Sequence, residues 1–162
     1  METIITQFKN LYQYDSWNQK RTNQKTKILQ RPYSLHLKDI DPYKRIGRFI
    51  SPSIQKELYT ISEIVTLKAS ADKQYRIETI PYFNQEDCNE GLLQRIISQT
   101  PYIEVIDESK VGEICYRYED TALIFMKYGV IIHISFHSEN KNNTSTEMYR
   151  LAQFIEKQIE IF

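Results

Sequence analysis

The sequence predicts an α+β domain, an antiparallel sheet of about five or six strands with helices packed on it, including an amphipathic helix at the C-terminus. Three observations predict it. Val111 to Ser138 reads as three consecutive strands punctuated by Glu119-Asp120 and Tyr128-Gly129, and the chain after residue 144 repeats its apolar residues at helical spacing. A length of 162 residues also suffices to bury a core without staples. The hydrophobic fraction of 41% and charged fraction of 26% are those of a globular chain, and only four glycines and five prolines argue against disorder.

Ile4, Ile5, Phe8, Leu11 and Tyr12 recur three and four residues apart, which predicts an amphipathic helix over 2–14. From Ser16 to Lys38 there is no acidic residue, while Lys20, Arg21, Lys25, Lys27, Arg31 and Lys38 accumulate around Trp17 and Tyr33. Residues 1–50 are therefore read as a helix and basic arm of the same domain, and 51–162 as its α+β core. Alternation at Leu35 and Leu37, with turn signals at Asp41-Pro42 and Ser51-Pro52, predicts an edge strand or extended connection over 32–52. His36, between two leucines, should face away from what they bury.

Two β-rich pieces, 57–69 and 74–83, flank the polar stretch Ser70 to Lys73 and predict a hairpin, with a helix over 53–65 as the competing reading. Asn84 has the chemistry of a helix N-cap, with Asp87 three residues on and Glu86 in the first turn. The helix runs over 86–99, stops before Pro101, and buries Cys88, Leu92 and Ile96 with Leu93 and Ile97. Gly91 costs it about 1 kcal/mol relative to Ala, which points to a close approach of helix and sheet. A short strand over 102–106 follows.

Two-residue turns at Glu119-Asp120 and Tyr128-Gly129 would pair Tyr116 with Leu123 and Phe125 with Ile132. One face then carries Ile114, Tyr116, Leu123, Phe125, Ile132, Ile134 and Phe136 as core. Its opposite carries Glu113, Cys115, Arg117, Ala122, Ile124, Met126, Ile131, His133, Ser135 and His137, a mixed surface open to being half covered or to receiving a partner. Thr144-Ser145-Thr146-Glu147 has capping-box form, and Met148, Leu151, Ala152, Ile155 and Ile159 form the stripe of a helix that lies on the apolar sheet face.

The chain is neutral overall but polarised: residues 1–50 hold ten Lys/Arg against four Asp/Glu, and 84–120 hold three against nine. The plain reading is that the two regions face each other within the fold or across a homo-oligomer. No apolar run reaches the roughly 18 residues of a membrane span. The N-terminus lacks the basic start and apolar core of a secretory signal, so a cytoplasmic location is expected as the sequence stands, or a periplasmic or extracellular one if a leader was removed. Cys88 and Cys115 are expected as buried thiols. The overlapping sequons at Asn142 and Asn143 read as a polar loop.

His133-x-Ser135-x-His137 invites a metal or nucleophile reading, but residues four apart on a strand are about 13 Å apart, so the two histidines cannot share one ion. Ser135 lacks an orienting acid and an oxyanion hole in the sequence around it. There is no P-loop, dinucleotide fingerprint, H-E-x-x-H or Cys-x-x-Cys spacing. No catalytic residue, metal or cofactor is therefore expected. Basic residues mixed with aromatics can track a nucleic acid, yet the neutral chain and the lack of a recognition motif argue against that partner.

The order helix, short strand, GEICYRYEDTALIFMKYGVIIHISFHS, then amphipathic helix resembles, over residues 75–162, the Mog1/PsbP-like (LpqN-like) small bacterial binding domains. The resemblance implies a non-enzymatic binding or accessory module with an antiparallel sheet flanked by helices. The functional expectation is accordingly a non-catalytic protein-binding module of inhibitor, immunity or accessory type, whose partner is another protein such as a basic enzyme or toxin. Its candidate contact residues are Glu86, Asp87, Glu90, Arg117, Glu119, Asp120, Met126, His133 and Ser135. Competing expectations are a carrier of a small apolar ligand between sheet and helices, and a small hydrolase.

Overall fold

The computed structural model describes residues 43–55, 58–68, 73–99, 103–105, 111–118, 122–137 and 144–161. The expected helix at 2–14, the basic stretch with His36, the Glu119-Asp120 connection and the sequons lie outside them. In chain order the elements are β1 (Lys44–Gln55), β2 (Leu58–Lys68), β3 (Gln74–Pro81), α1 (Gln85–Gln99), β4 (Ile103–Val105), β5 (Ile114–Tyr118), β6 (Ala122–Lys127), β7 (Val130–His137) and α2 (Thr144–Ile161). The strands form one sheet in the order β1-β2-β3-β7-β6-β5-β4, antiparallel throughout. The α+β class stands, with seven strands once the three-residue β4 is counted. Two meanders, β1 to β3 and β4 to β7, meet where β3 pairs with β7.

The expected hairpin over 57–83 forms as β2 and β3, and residues 53–55 extend β1 instead of starting a helix. β1 begins at Lys44, ahead of the expected boundary at residue 50. As an edge strand it carries a register shift between Arg45 and Gly47, together with Pro52 and three basic residues, all features that discourage a second chain from pairing there.

Asn84 caps α1 as its chemistry predicts: its Oδ1 accepts from the Asp87 backbone N–H at 2.7 Å, and its Nδ2 donates to Asp87 Oδ2 at 2.8 Å. Gly91 makes room for the Tyr82 side chain, just past the end of β3, since a Cβ there would overlap its hydroxyl; the close contact is with that ring instead of the expected strand. The β6–β7 register is the one expected, because Tyr128 (φ 50°) and Gly129 (φ 78°) both take the positive φ of a type I′ turn.

The β5–β6 register is not. Tyr118 pairs with Ala122 and Tyr116 with Ile124, so the connection uses residues 119–121 instead of two residues. A one-residue slip moves every side chain of a strand to the other face. Cys115 therefore joins Leu123 and Phe125, Tyr116 joins Ile124 and Met126, and Arg117 pairs with Leu123 on the face away from His133 and Ser135.

The sheet is covered on both sides. On one, α2 buries Met148, Leu151, Ala152, Ile155 and Ile159 against Val65, Tyr75, Ile77, Leu123, Phe125, Ile132 and Ile134, as its periodicity predicts. Each large side chain so buried contributes on the order of 1.5 to 3 kcal/mol. On the other, α1 sets Cys88, Leu92 and Leu93 against Ile80, Tyr116, Ile124, Met126 and Ile131. Cys88 and Cys115 are buried thiols outside any disulfide, on opposite sides of the sheet. Of the two expectations for the mixed face, half cover or a partner's contact, α1 supplies the partial cover.

Candidate functional site

The α1 roof ends over the middle of the sheet. Its cluster takes side chains from β3, β5, β6 and β7 but none from β1 or β2 among the described residues. Directly opposed residues share a face, so the register carries two rows of this face outward. One row runs Phe49, Ile64, Glu78, His133, Ile124 and Tyr116; the next runs Gly47, Thr66, Arg76, Ser135 and Ala122. Along the first row burial fades toward β1, and in the second Arg76 stands exposed between half-buried neighbours. Ile124 and Tyr116 are sealed, His133, Glu78, Ser135, Thr66 and Ile64 are half-buried, Arg76 is exposed, and Phe49 is 60% exposed.

At the boundary between roofed and open sheet stands a trio contributed by β3, α1 and β7. Arg95 donates from Nη1 to Glu78 Oε2 at 2.9 Å and from Nη2 to Glu78 Oε1 at 3.1 Å, a two-pronged pair that matches guanidinium to carboxylate. Its Nη1 also lies 3.1 Å from His133 Nδ1. A guanidinium only donates, so Nδ1 must accept and the ring proton sits on Nε2. Burial, and then the Arg95 charge, push His133 down to about 4, against the opposing pull of Glu78. The imidazole is a neutral ring with its tautomer set by Arg95.

That tautomer determines what the cluster can do. In a serine hydrolase the orienting group accepts from Nδ1 and leaves Nε2 free to take the serine proton. Here Nδ1 faces a donor and Nε2–H is itself a donor, the reverse arrangement. Ser135 Oγ turns instead to the Arg76 carbonyl, at a long 3.5 Å. Among the described residues no group of three His, Cys, Asp or Glu side chains is arranged to hold a metal ion.

The other expected contact residues are dispersed. Glu86 and Glu90 are exposed on α1, Glu90 accepting from Gln94 Nε2 at 3.2 Å, and Asp87 is engaged with Asn84. Met126, expected on an outer face, is completely buried under α1, its Sδ 3.6 Å from Gln85 Nε2. Arg117 is half-buried on the opposite side of the sheet, and Glu119 and Asp120 lie outside the described residues. His133 and Ser135 alone come together, and they do so with three residues the sequence reading passed over: Arg76, Glu78 and Arg95. Alternation along β3 puts Arg76 and Glu78 on one face, but only the β3–β7 pairing sets them beside His133.

A second polar cluster lies on the α2 side. Tyr43 Oη donates to Glu147 Oε1 at 2.9 Å, so the expected capping-box glutamate also ties the start of α2 to the segment entering β1. Tyr43 meets the Tyr75 ring edge-on at 5.7 Å, and Tyr75 leans on Phe136 at 5.0 Å. Burial, reinforced by Glu147, raises the pKa of both tyrosines. These rings are packed into the core, which assigns them to structure.

Comparison of the chain with protein-family models, curated proteins and solved structures returns no match. Among the described residues no helix is long and apolar enough to cross a membrane.

Proposed function

We propose that this chain is a non-catalytic protein-binding module of the inhibitor, immunity or accessory type, and that its partner covers the open strip of sheet beside α1. The observation that carries this reading is the strip itself: Phe49, 60% exposed, next to half-buried Ile64 and exposed Arg76 on paired strands of the sheet. Aromatic residues and arginine are the side chains over-represented at interface cores and hot spots, and a strand-borne patch needs little ordering before it binds. The donor tautomer of His133 supports a recognition role over a catalytic one.

The test is co-purification of tagged wild-type and Phe49→Asp chains from the native host at equal loading. The proposal expects a protein recovered stoichiometrically with wild type and depleted at least tenfold with the variant. Equal recovery with both chains would refute it.

A further inference from the structure

Resting on that reading, we propose that Arg76, Ser135 and the Nε2–H of His133 form a carboxylate-recognition site that accepts an acidic side chain from a segment of the partner protein. The three belong to one block of the sheet. Arg76 pairs across the strands with Ser135, and His133, two residues before Ser135 on β7, shares its face. Among the described residues none of these three donors meets a strong acceptor. Arg76 is exposed and its guanidinium meets no acceptor among the described residues. Ser135 spends its hydroxyl on a 3.5 Å contact that a better acceptor would displace.

The one acidic group in the block is already committed. Both oxygens of Glu78 are held by Arg95, so Glu78 and Arg95 cancel and the charge of Arg76 stands over. The same Arg95 fixes the His133 proton on Nε2, which makes the ring a constant donor. A block with one net positive charge and three donors is matched by a single negative group with several lone pairs. A carboxylate satisfies it, whereas a phosphate dianion would call for a second cation. Phe49 and Ile64 beside it suit the apolar neighbours of that acidic residue in a polypeptide. Lys68 and Lys44 pair in the next row of the same face, outside this block, so a nucleic acid, which would draw on a row of cations, is the competing ligand that the test must exclude.

A random-peptide library panned against the immobilised full-length chain supplies the probe, and a recovered peptide is then titrated against variants. The site predicts acidic binders that lose about tenfold in affinity with Arg76→Gln, corresponding to roughly 1.4 kcal/mol, and less with Arg76→Lys, which keeps the charge without the fork. Replacing the peptide's carboxylate by its amide should cost the same in wild type and almost nothing in Arg76→Gln, the coupling expected of a direct contact. Binders without acidic residues, an additive cycle, or tighter binding of single-stranded RNA would each overturn the site. Binders sensitive to Phe49→Asp but indifferent to Arg76→Gln would overturn the carboxylate site and leave the binding face standing. Indifference to both substitutions would overturn both.

Discussion

The two faces of this sheet are built from the same strands by the same alternation, yet they come out differently. The α2 face is mostly apolar from β2 to β6, with Glu63 and Thr79 buried among its apolar residues, and is roofed by an eighteen-residue helix with five buried apolar side chains. The α1 face is sealed only beneath its helix; beyond it the face turns to Arg76, Glu78, His133 and Ser135 and then to half-buried Ile64 and exposed Phe49. A face sealed along its length contributes stability and offers nothing to a partner. A face whose roof stops short supports a polar cluster with its buried half and presents surface with the rest.

Truncations should separate the two most sharply. Ile132 is fully buried on the α2 face, so Ile132→Ala should cost about 2 to 5 kcal/mol in chemical denaturation. Phe49→Ala on the open strip should stay within about 0.5 kcal/mol despite removing more side chain. Comparable losses at both positions would erase the distinction.

Acid should act at the boundary between roofed and open sheet. The folded-state pKa of His133, about 4, lies below its ordinary value of 6.5, so the unfolded chain takes up a proton before the native one does. Stability tied to this residue is intact above about pH 6.5, declines as pH falls toward 4, and changes no further below that. The loss amounts to at most about 3 kcal/mol. Denaturation of wild type and His133→Gln across this range should differ in slope, wild type losing stability relative to the variant as pH falls and the variant lacking that part of the slope.

A smaller effect tests how closely α1 sits on Tyr82. Alanine in place of Gly91 gains about 1 kcal/mol of helix propensity but drives a methyl group into the Tyr82 ring. Gly91→Ala should therefore be neutral or destabilising in wild type, and stabilising by about 1 kcal/mol in a Tyr82→Ala background. Thermal melts of the four chains in the cycle check the change of sign.

Much of this architecture was legible in residue order, because the signals were local. Asn84 with Asp87 marked the start of α1, Gly91 a close contact along it, Tyr128-Gly129 the β6–β7 register, and the stripe from Met148 to Ile159 the buried side of α2. What failed was also local but lacked punctuation. Glu119-Asp120-Thr121 contains no glycine to distinguish a two-residue from a three-residue connection, and the slip carried Cys115, Tyr116 and Arg117 to the wrong faces. The polar cluster was out of reach for a different reason. Glu78, Arg95 and His133 are 17 and 38 residues apart and meet only because β3 pairs with β7 while α1 runs back over both. The half cover of the outer face was one of two readings the sequence left open, because the helix that roofs it was expected on the sheet without a side assigned to it.

The smallest effect on folding should accompany the largest effect on binding, and that pairing tests the central claim most directly. The measurement is calorimetric titration of the co-purified partner against Phe49→Asp/Arg76→Gln, with Phe154→Asp as a control at an exposed phenylalanine on α2. The open strip predicts a loss of about a hundredfold or more in affinity for the double variant, with its melting temperature within a few degrees of wild type and the control unchanged in affinity. An affinity loss no greater than that of Phe154→Asp would contradict it.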